Sequence, residues 1–539
     1  MPDYKLNDES LALLRSPSQR YQIRCVFLPT YTPTVTQWTR PGGSGRETFE
    51  WTPETNLASS RLGVVDEPVY YYVNNAQTRT GSAIPSSDKS IDWGDGTTVS
   101  PADGLLSHSY AAGGTYEVQF TCVADGETFT SHRWVKVLAS WDDDPFYGVS
   151  DLGSITGSLS SGGWQALVTL RDVTGDYLTG MIQDRQGVIL YLDETWGVND
   201  ILALGTTKTL GWDGNDDAYD PRILFFGYVI GDTVRVDAES HEVTFTAQTA
   251  EALLAKMTIQ SQIYLDSTKH GYGHVRDGLT FADVANHLVH RHTNWGTWHQ
   301  FSVWRSGNPT PQVTINDGSI WQGLQACASN EFGRLEGAQE SRLNIVPDVN
   351  ARGIDWWGLM FDPPAMPFDS QNIWQITVVE SPPDRTGYVE IRGSDPLGGA
   401  SLTGKYPSTP GDIGGRDIKD VICHDQTKLD SWAKNIYFSD NARYAVTITT
   451  GLTRPLSIGD LVIVDHADPQ GRYDFTASVG GGAYRRPFYV DGVSYTPNLL
   501  AETWQTSVTL TDIPRLRWET GADQWQTFDG STWTAVGGS

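Results

Sequence analysis

Residues 221–257 read PRILFFGYVIGDTVRVDAESHEVTFTAQTAEALLAKM and carry the strongest structural signal in the chain. Within them, Ile223–Val229 is a dense apolar run of strand length, which predicts a strand buried on both faces. Apolar and polar residues then alternate over 234–247, which predicts a hairpin with one buried face. Thr249 is the expected N-cap of a short helix with an apolar stripe over 250–257. The segment contains no catalytic motif.

Composition points to a multi-domain β protein. The 539 residues are enough for about three to five domains of roughly 100–200 residues each. Fifty-five Gly, 27 Pro, 20 Trp and 23 Tyr favour a mainly β chain with many turns. The net charge of −27 argues against phosphate-backbone binding, because a nucleic-acid reader needs a basic surface. An acidic surface suits a conduit through which DNA slides without sticking, and it equally suits ordinary solubility.

The cysteines and the amino terminus argue against a disulfide-rich secreted protein. Cys25, Cys122, Cys327 and Cys423 lie far apart without CxxC spacing, so neither a disulfide framework nor a cysteine zinc site is expected. The amino terminus has no basic region followed by an apolar core, so no secretory signal is predicted. No run of about 18 apolar residues occurs, so no membrane span is expected. Because no secretory signal and no membrane span are predicted, synthesis in the cytoplasm is expected.

Residues 63–139 contain three motifs in a fixed order: Ile91–Thr97 (IDWGDGT), His108–Tyr110 (HSY) and Gly114–Val118 (GTYEV). In the first motif, the two glycines are expected to adopt positive φ while the two aspartates bind local amides. The motifs resemble the polycystic-kidney-disease-like (PKD) domain, an Ig-like sandwich that serves as a spacer or adhesive module. Calcium binding by the aspartates is the alternative to simple turn chemistry.

Secondary structure is also predicted between 258 and 514. Helical spacing of apolar residues predicts helices over 281–289 and 319–328, the second with Ser319 as N-cap. Strands are predicted over 341–346, 444–448, 461–464 and 488–495. A possible repeat is present, because WQALVTL at 164–170 and WQTSVTL at 504–510 match at five of seven places. In each copy the first, fifth and seventh residues share one strand face.

Two groups of residues raise the question of a metal, which the sequence leaves open. Residues 213–220 begin like a calcium loop but lack its glycine and closing glutamate, so a solvated acidic loop is the better interpretation. Six of the eleven histidines lie close together in sequence: His270, His274, His287, His290, His292 and His299. His287 and His290 are one helical turn apart and could begin a metal site. The favoured interpretation is instead a cationic cluster that contacts the acidic face of another copy.

The order of elements from about 151 to 510 resembles the baseplate-hub or late-control (protein D-like) family of phage tails. The resemblance is carried by FFGYV at 225–229 with the helix after it, by IWQGL at 320–324, by LSIGDLV at 456–462 and by the last strand at 504–510. It implies a trimer with two barrel-like modules per subunit. Three copies would then form a pseudo-six-fold ring that continues the tail tube.

The expected fold class is mainly β and multi-domain, with two barrel-like hub modules, a small α+β segment between them and an Ig-like PKD sandwich. The expected domains are an extended amino-terminal arm (1–62), the PKD-like domain (63–139), the first hub barrel (140–260), an α+β middle domain (261–374), the second hub barrel (375–515) and a carboxyl-terminal tail or hairpin (516–539).

Enzymatic activity is not predicted, since no GxSxG elbow, P-loop or GxGxxG occurs in the required context. No catalytic, cofactor-binding or metal-binding residue is assigned, and no cofactor is expected. The many tryptophans leave a carbohydrate-active protein as an alternative, in which Trp295, Trp298 and Trp304 would stack on sugar rings. Filling of a β core is the other interpretation of these three residues.

The predicted function is structural: a hub subunit of a phage or phage-like tail tip, located in the virion. Expected partners are sister copies in a trimer, the tail tube or distal tail protein, and a central spike, fibre or other tail-tip protein. Host surface glycan could be contacted through the PKD-like domain, and DNA would be only passing cargo. The alternatives are a PKD-bearing glycan-binding adhesin and a polysaccharide hydrolase.

Overall fold

The structure is a computed structural model. It describes residues 22–38, 45–49, 57–59, 61–73, 83–102, 104–140, 149–158, 163–171, 182–193, 223–237, 239–303, 310–330, 332–338, 342–347, 367–380, 386–394, 401–409, 414–423, 425–441, 444–451, 461–476, 484–498, 503–513, 516–519, 524–528 and 532–535. The acidic loop 213–220, Trp304 and the turn 456–460 of the hub-like pattern lie outside the described residues.

The first strands of the described chain include a β-sandwich. In order they are β1 (Gln22–Thr30), β2 (Arg46–Thr48), β3 (Leu57–Ser59), β4 (Leu62–Val64), β5 (Pro68–Val73), β6 (Lys89–Asp92), β7 (Thr98–Val99), β8 (Gly104–Ser109), β9 (Gly114–Ala124) and β10 (Glu127–Leu138). One sheet has the order β4-β10-β9-β6-β7 and the other β3-β5-β8. Tyr71, Trp93, Tyr110 and Phe120 belong to the single buried cluster that joins these sheets.

A first barrel-like module follows. Its elements are β11 (Val149–Ser158), β12 (Gly163–Arg171), β13 (Gln186–Asp193), β14 (Ile223–Val229), β15 (Arg235–Asp237), β16 (Glu242–Gln248) and helix α1 (Glu251–Leu254). The strand order is β1-β13-β14-β16-β12-β11, with β15 paired to β16. β1 also contacts β11, so the six strands curl back towards their start.

The middle of the chain holds most of the described helical turns. Its elements are β17 (Thr258–Ile259), β18 (Gln262–Asp266), β19 (Gly273–Arg276), α2 (Phe281–Arg291), α3 (Trp295–Trp298), β20 (Gln300–Val303), β21 (Gln312–Ile315), β22 (Gly318–Ser319), α4 (Ile320–Asn330), β23 (Gly333–Ala338) and β24 (Arg342–Pro347). Both helices predicted here are confirmed as α2 and α4. Ser319 accepts a hydrogen bond from the Gln322 N–H at 3.2 Å, as expected of an N-cap.

A second module of six strands completes the chain with two small additions. Its elements are β25 (Pro367–Asp369), β26 (Ile373–Glu380), β27 (Val389–Ser394), β28 (Leu402–Tyr406), β29 (Arg416–Ile422), α5 (Gln426–Asp440), β30 (Tyr444–Thr450), β31 (Leu461–Asp465), β32 (Tyr484–Arg485), β33 (Pro487–Asn498), β34 (Thr503–Asp512), β35 (Leu516–Glu519), β36 (Gln524–Phe528) and β37 (Trp533–Ala535). The module runs β25-β31-β33-β34-β30-β26. Strands β27 to β29 with α5 form a unit inserted between β26 and β30, and β32, β35, β36 and β37 form a terminal sheet.

The two modules are halves of one 13-stranded sheet. They join where β11 pairs antiparallel with β33, from Ile155 opposite Tyr495 to Ser158 opposite Gly492. The earlier part of β33 pairs instead with β31, and a register shift between Val490 and Gly492 marks the change. The mainly β, multi-module fold class is therefore confirmed. No described helix is long and apolar enough to cross a membrane.

The two copies of the short repeat occupy corresponding strands. β12 and β34 are the second strands of two hairpins whose first strands, β11 and β33, lie side by side. Trp164, Val168 and Leu170 are all buried in one cluster, which confirms their shared face. Val508 and Leu510 of the second copy are buried in the same cluster.

Strand β14 separates two hydrophobic cores, as its apolar run predicts. Phe225 and Val229 enter the sheet core, the cluster that includes Trp164 and extends through both modules. Phe226 and Tyr228 enter the helix core, the cluster formed around α2 and α4. Both phenylalanines are 0% exposed, so the predicted burial of this strand on both faces is confirmed.

Two details of the 234–257 segment differ from the prediction. β15 and β16 do pair, but only β16 supplies the buried face, and Val236 on β15 is 46% exposed. Thr249 does not cap α1. Its hydroxyl instead accepts a hydrogen bond from the Trp164 N–H at 2.8 Å. This bond connects the start of the four-residue helix to β12.

The described part of the predicted amino-terminal arm is packed within the chain. β1 pairs with β13, and its alternating residues Cys25 and Val26 are buried in the sheet core and the helix core respectively. Further on, Asn294 holds the backbone: its side chain accepts from the Thr34 N–H and donates to the Thr32 carbonyl, both at 2.9 Å. The segment 22–38 is thus an integral part of the fold.

Substitution of Gly227 tests the double burial of β14. A Cβ at Gly227 would lie 2.5 Å from the carbonyl oxygen of Gln248 and 2.6 Å from the Phe225 ring. Gly227→Ala should therefore lower the free energy of unfolding by about 1–3 kcal/mol, because an overpacked strand must shift. Thermal and urea unfolding measure this. Gly414→Ala is the matched control, since no atom lies within 4 Å of its Cβ position. Equal stability of the two variants would contradict the prediction.

Candidate functional site

Three histidines from β19 and the end of α2 meet inside the helix core region. His274 lies in β19, His287 in α2 and His292 directly after α2. α2 begins with a capping box, in which the Thr280 hydroxyl accepts from the Asp283 N–H and the Asp283 carboxylate accepts from the Thr280 N–H. β19 is held between β18 and β2. The rings are therefore carried by two well-anchored elements.

The three rings are close together and hidden from water. One possible ligand nitrogen from each ring lies within 4.8 Å of the other two. The exposed fractions are 1% for His274, 6% for His287 and 4% for His292. The ring centroids of His274 and His287 are 4.7 Å apart, and those of His287 and His292 are 5.0 Å apart. We refer to these three residues as the histidine cluster.

Hydrogen bonds to outer neighbours fix the protonated nitrogen in two of the rings. His274 Nε2 lies 2.8 Å from Gln262 Oε1, whose amide is oriented by donation from Gln262 Nε2 to the Gln260 carbonyl. His292 Nδ1 lies 2.9 Å from the Thr36 carbonyl oxygen. Because both partners are acceptors, these two nitrogens carry the protons. The opposite nitrogens, Nδ1 of His274 and Nε2 of His292, are buried without a hydrogen-bond partner.

His287 follows the same pattern. Its Nδ1 lies 3.3 Å from the hydroxyl oxygen of Tyr264. When Nδ1–H donates to this oxygen, Nε2 keeps its lone pair. Burial raises the pKa of Tyr264 well above 10.0, so its hydroxyl stays protonated and neutral. Each ring of the histidine cluster can therefore present one unprotonated nitrogen to the others.

The amino-terminal segment covers the cluster. Trp38 packs on His274 with centroids 4.7 Å apart, and Phe49 packs on His287 at 4.5 Å. Between them, Glu47 Oε2 lies 3.7 Å from His274 Nδ1 and accepts a hydrogen bond from the Trp38 indole N–H. A carboxylate thus stands at the edge of the cluster, on the side that faces solvent.

Burial keeps the cluster uncharged. It lowers the pKa of His274 from 6.5 to about 3, with nearby His292 as the second cause. It lowers the pKa of His287 well below 6.5, again with the neighbouring histidines adding to the effect. For His292, burial outweighs the opposing hydrogen bond to Thr36, and the pKa is lowered. All three rings are neutral at pH 7, and neutral imidazole is the form that binds metals.

The expected cationic surface cluster is wrong. Besides the histidine cluster, His299 is 0% exposed and His290 is half-buried with its Nε2 shielded from water. Burial lowers the pKa of His290 to about 4 and that of His299 well below 6.5. Among the six, His270 alone is exposed. Removal from water disfavours the imidazolium form, so five of these residues cannot supply positive charge to a partner's acidic face.

The pair singled out by helical spacing does not converge. His287 faces the cluster, whereas His290 lies towards Phe301, with ring centroids 6.1 Å apart. Three residues at about 100° each leave the two side chains about 60° apart around the helix. The second histidine from this region is instead His292, which lies beyond the last turn, where the chain folds back. Sequence spacing alone therefore did not identify the set.

The acidic turn of the sandwich behaves as turn chemistry predicts. Asp92 accepts from the Gly94 N–H at 2.9 Å, and Asp95 Oδ1 accepts from the Thr97 N–H and hydroxyl at 3.0 and 2.6 Å. Asp95 Oδ2 lies 2.7 Å from His108 Nε2. The two glycines of the turn have φ of +79° and +91°. The local geometry is confirmed, and the PKD-like assignment stays a prediction.

The described tryptophans of the sugar-stacking alternative have structural positions. Trp295 is 0% exposed and donates from Nε1 to the Ala250 carbonyl at 3.0 Å, so it has no face for a sugar ring. Trp298 is half-buried and stacks on Trp134 and His132 of the sandwich, at 5.4 and 4.9 Å between centroids. Trp298 therefore joins the sandwich to the middle of the chain.

Comparison with known proteins identifies relatives among solved structures. No protein-family model matches the chain, and no curated protein matches it. A tail protein from Neisseria meningitidis MC58 has a TM-score of 0.44 and 14% identity over 68% of this chain and 93% of that chain. The 43 kDa tail protein of prophage MuSo2 from Shewanella oneidensis has a TM-score of 0.41 and 12% identity over 68% and 95%.

A third match is an E. coli component of the type VI secretion system, described as structurally similar to the T4 tail proteins gp27 and gp5. It has a TM-score of 0.36 and 9% identity over 68% of this chain and 74% of that chain. Two of these three solved structures are tail proteins and the third is a type VI secretion component; a further match, with a TM-score of 0.16 over 27% of this chain, is a carbohydrate-binding module of the β-sandwich superfamily.

The turn of the sandwich gives a pH prediction. Partial burial opposes ionisation of Asp95, but the hydrogen bonds from Thr97 and His108 outweigh it and lower its pKa below 3.8. A carboxyl whose folded pKa is depressed stabilises the fold above its unfolded pKa, and this contribution disappears as pH falls through the folded value. Asp95→Asn should therefore lower the free energy of unfolding of the sandwich by roughly 1 kcal/mol at pH 7, and its thermal unfolding midpoint should fall.

The difference between wild type and Asp95→Asn should stay constant above about pH 5 and shrink as the pH falls below 3.8. Thermal melts at several pH values, followed by tryptophan fluorescence, measure it. Asp88→Asn is the control. The Asp88 carboxylate is exposed, and its hydrogen bond comes from the adjacent residue Ser87 rather than from a distant part of the sandwich. A pH-independent difference for Asp95→Asn would contradict the assignment.

Proposed function

We propose that the chain is a structural subunit of the tail tip of a phage or phage-like particle. In this proposal it is a hub that forms a ring with copies of itself, continues the tail tube and connects it to host-contacting proteins. It carries out no catalysis. DNA passes through the ring as cargo, which agrees with a net charge of −27 that would not retain phosphate.

The observation that carries the proposal is the pair of six-stranded modules within one sheet. The first module curls back towards its start, and it is joined edge to edge to the second module through β11 and β33. Two modules held side by side in one subunit can occupy two neighbouring positions of a ring. Three copies then complete a ring of six modules around an opening, which closes by rotational symmetry.

The free end of this sheet supports assembly through strand β26. Among the described strands, β26 ends the path and pairs with β30. Trp374 and Val379 on this strand are 50% and 56% exposed. An edge strand with exposed apolar side chains invites pairing with another chain, so a sister copy is the partner we infer for it.

The sandwich supports a role as a fixed decoration on the hub. It is attached to the middle of the chain by the stacking of Trp298 on Trp134 and by an ion pair of 2.6 Å between Arg291 and Glu127. It lies outside the 13-stranded sheet. A rigidly attached module of this kind could contact another tail-tip protein or a host glycan without disturbing the ring.

Charge at the β26 edge tests the proposed assembly. The double substitution Trp374→Glu and Val379→Glu should convert the trimer into monomers, because two carboxylates at this edge would repel a sister strand and cost desolvation. The fold should persist, since both side chains are already half-exposed. Size-exclusion chromatography with light scattering gives the mass, and circular dichroism checks the fold.

Val123→Glu on β9 of the sandwich is the control, because Val123 is also half-exposed, at 42%. This variant should remain a trimer. A wild-type chain that stays monomeric at micromolar concentration would contradict the proposed ring. A double variant that assembles as wild type does would exclude the β26 edge as the contact.

A further inference from the structure

We propose that His274, His287 and His292 bind one divalent transition-metal ion, zinc being the expected occupant, with the Glu47 carboxylate as fourth ligand. This site consists of the histidine cluster and Glu47, and it does not depend on the proposed tail function. It identifies a structural metal centre between the amino-terminal segment and the middle of the chain.

Two ring nitrogens of the histidine cluster have lone pairs without partners. Nδ1 of His274 and Nε2 of His292 are buried without hydrogen-bond partners. Buried polar atoms are nearly always satisfied, and two unsatisfied acceptors in one cluster need an explanation. A cation placed among the rings would satisfy both, and Nε2 of His287 is available as the third donor. Packing of three histidines does not by itself require a nitrogen from each ring to lie within 4.8 Å of the other two.

Hydrogen bonds to residues outside the histidine cluster orient its rings. Metal-bound histidines usually donate the other ring N–H to a carbonyl, amide or carboxylate oxygen, which fixes the tautomer and orients the ring. Gln262 does this for His274, and the Thr36 carbonyl does it for His292. Tyr264 is placed to do it for His287 at 3.3 Å. Every ring of the cluster thus has the outer partner that a ligand needs.

The ligand chemistry indicates zinc. Three neutral imidazoles and one carboxylate suit a borderline divalent ion, and zinc prefers four ligands in a tetrahedron. Zinc–nitrogen bonds of about 2.0–2.1 Å place the nitrogens about 3.3 Å apart. Binding the ion would draw the nitrogens together to this separation from the present arrangement, in which one nitrogen of each ring lies within 4.8 Å of the other two.

Glu47 is the fourth ligand because of where it stands. Its Oε2 lies 3.7 Å from His274 Nδ1, too far for a hydrogen bond and on the side of the nitrogen that has no partner. The indole N–H of Trp38 holds this carboxylate in place. Its negative charge would offset part of the charge of the ion within an otherwise neutral cluster.

The centre would fasten the amino-terminal segment to the fold. Glu47 lies in β2 and Thr36 precedes it, whereas the three histidines belong to β19 and the end of α2. β2 contributes only a three-residue pairing with β19. A metal ion shared across this junction would hold the segment more firmly than that short pairing can, because binding energy at such a site is also folding energy.

Metal content of the full chain, produced without a polyhistidine tag, tests the proposal. Mass spectrometry of the dialysed protein should find about one zinc ion per chain. Removal by a chelator should lower the thermal unfolding midpoint and speed amide hydrogen exchange over residues 34–38 and 45–49, and added zinc should reverse both. Cobalt(II) in place of zinc should give the absorption bands of a tetrahedral site.

His292→Gln should weaken zinc binding at least tenfold, and Glu47→Gln should alter the cobalt spectrum while the protein stays folded. His290→Gln is the matched control, since His290 belongs to α2 but lies outside the cluster, and it should bind zinc as wild type does. If His292→Gln fails to fold, the chelation and cobalt measurements on wild type decide. Wild-type protein that holds no zinc and whose unfolding midpoint does not respond to excess zinc would overturn the proposal. Equal zinc affinity in folded His292→Gln would overturn it as well.

Discussion

Burial of β14 on both faces is the constraint on which the other contacts depend. Phe225 fills the sheet core and Phe226 the helix core, so this seven-residue strand, together with the neighbouring β1 and β13, lies between them. Because neighbouring side chains of a strand point to opposite faces, its register cannot slip without exposing both cores. The first module, the helices and the covering amino-terminal segment are therefore positioned relative to one another by this strand.

The sequence predicted those parts whose signal is local. Burial within one element leaves a pattern in consecutive residues. The structure confirms three such patterns: the apolar run at Ile223–Val229, the helical spacing of α2 and α4, and the alternation in β30. Pairings between distant segments were not predictable in this way. The union of β11 with β33 joins residues more than 300 positions apart, and nothing in either strand's own pattern specifies that partner.

The sequence named the three members of the histidine cluster among six histidines but did not single them out, for a related reason. Helical spacing singled out His287 and His290. The two rings that actually join His287 come from His292, which lies past the end of α2, and from His274 on a strand. The outer hydrogen-bond partners come from still further away, at Thr36 and Gln262. Such a set becomes visible only when the covering segment is in place. Burial then removes the positive charge expected of these side chains.

A ring of paired modules and a solitary subunit differ in shape, and electron microscopy of the isolated full-length chain distinguishes them. The continuous sheet with its exposed β26 edge predicts rings of three chains, in which six modules surround an open centre. Separate particles without a central opening would contradict this account. So would a ring in which a single module of each chain lines the opening.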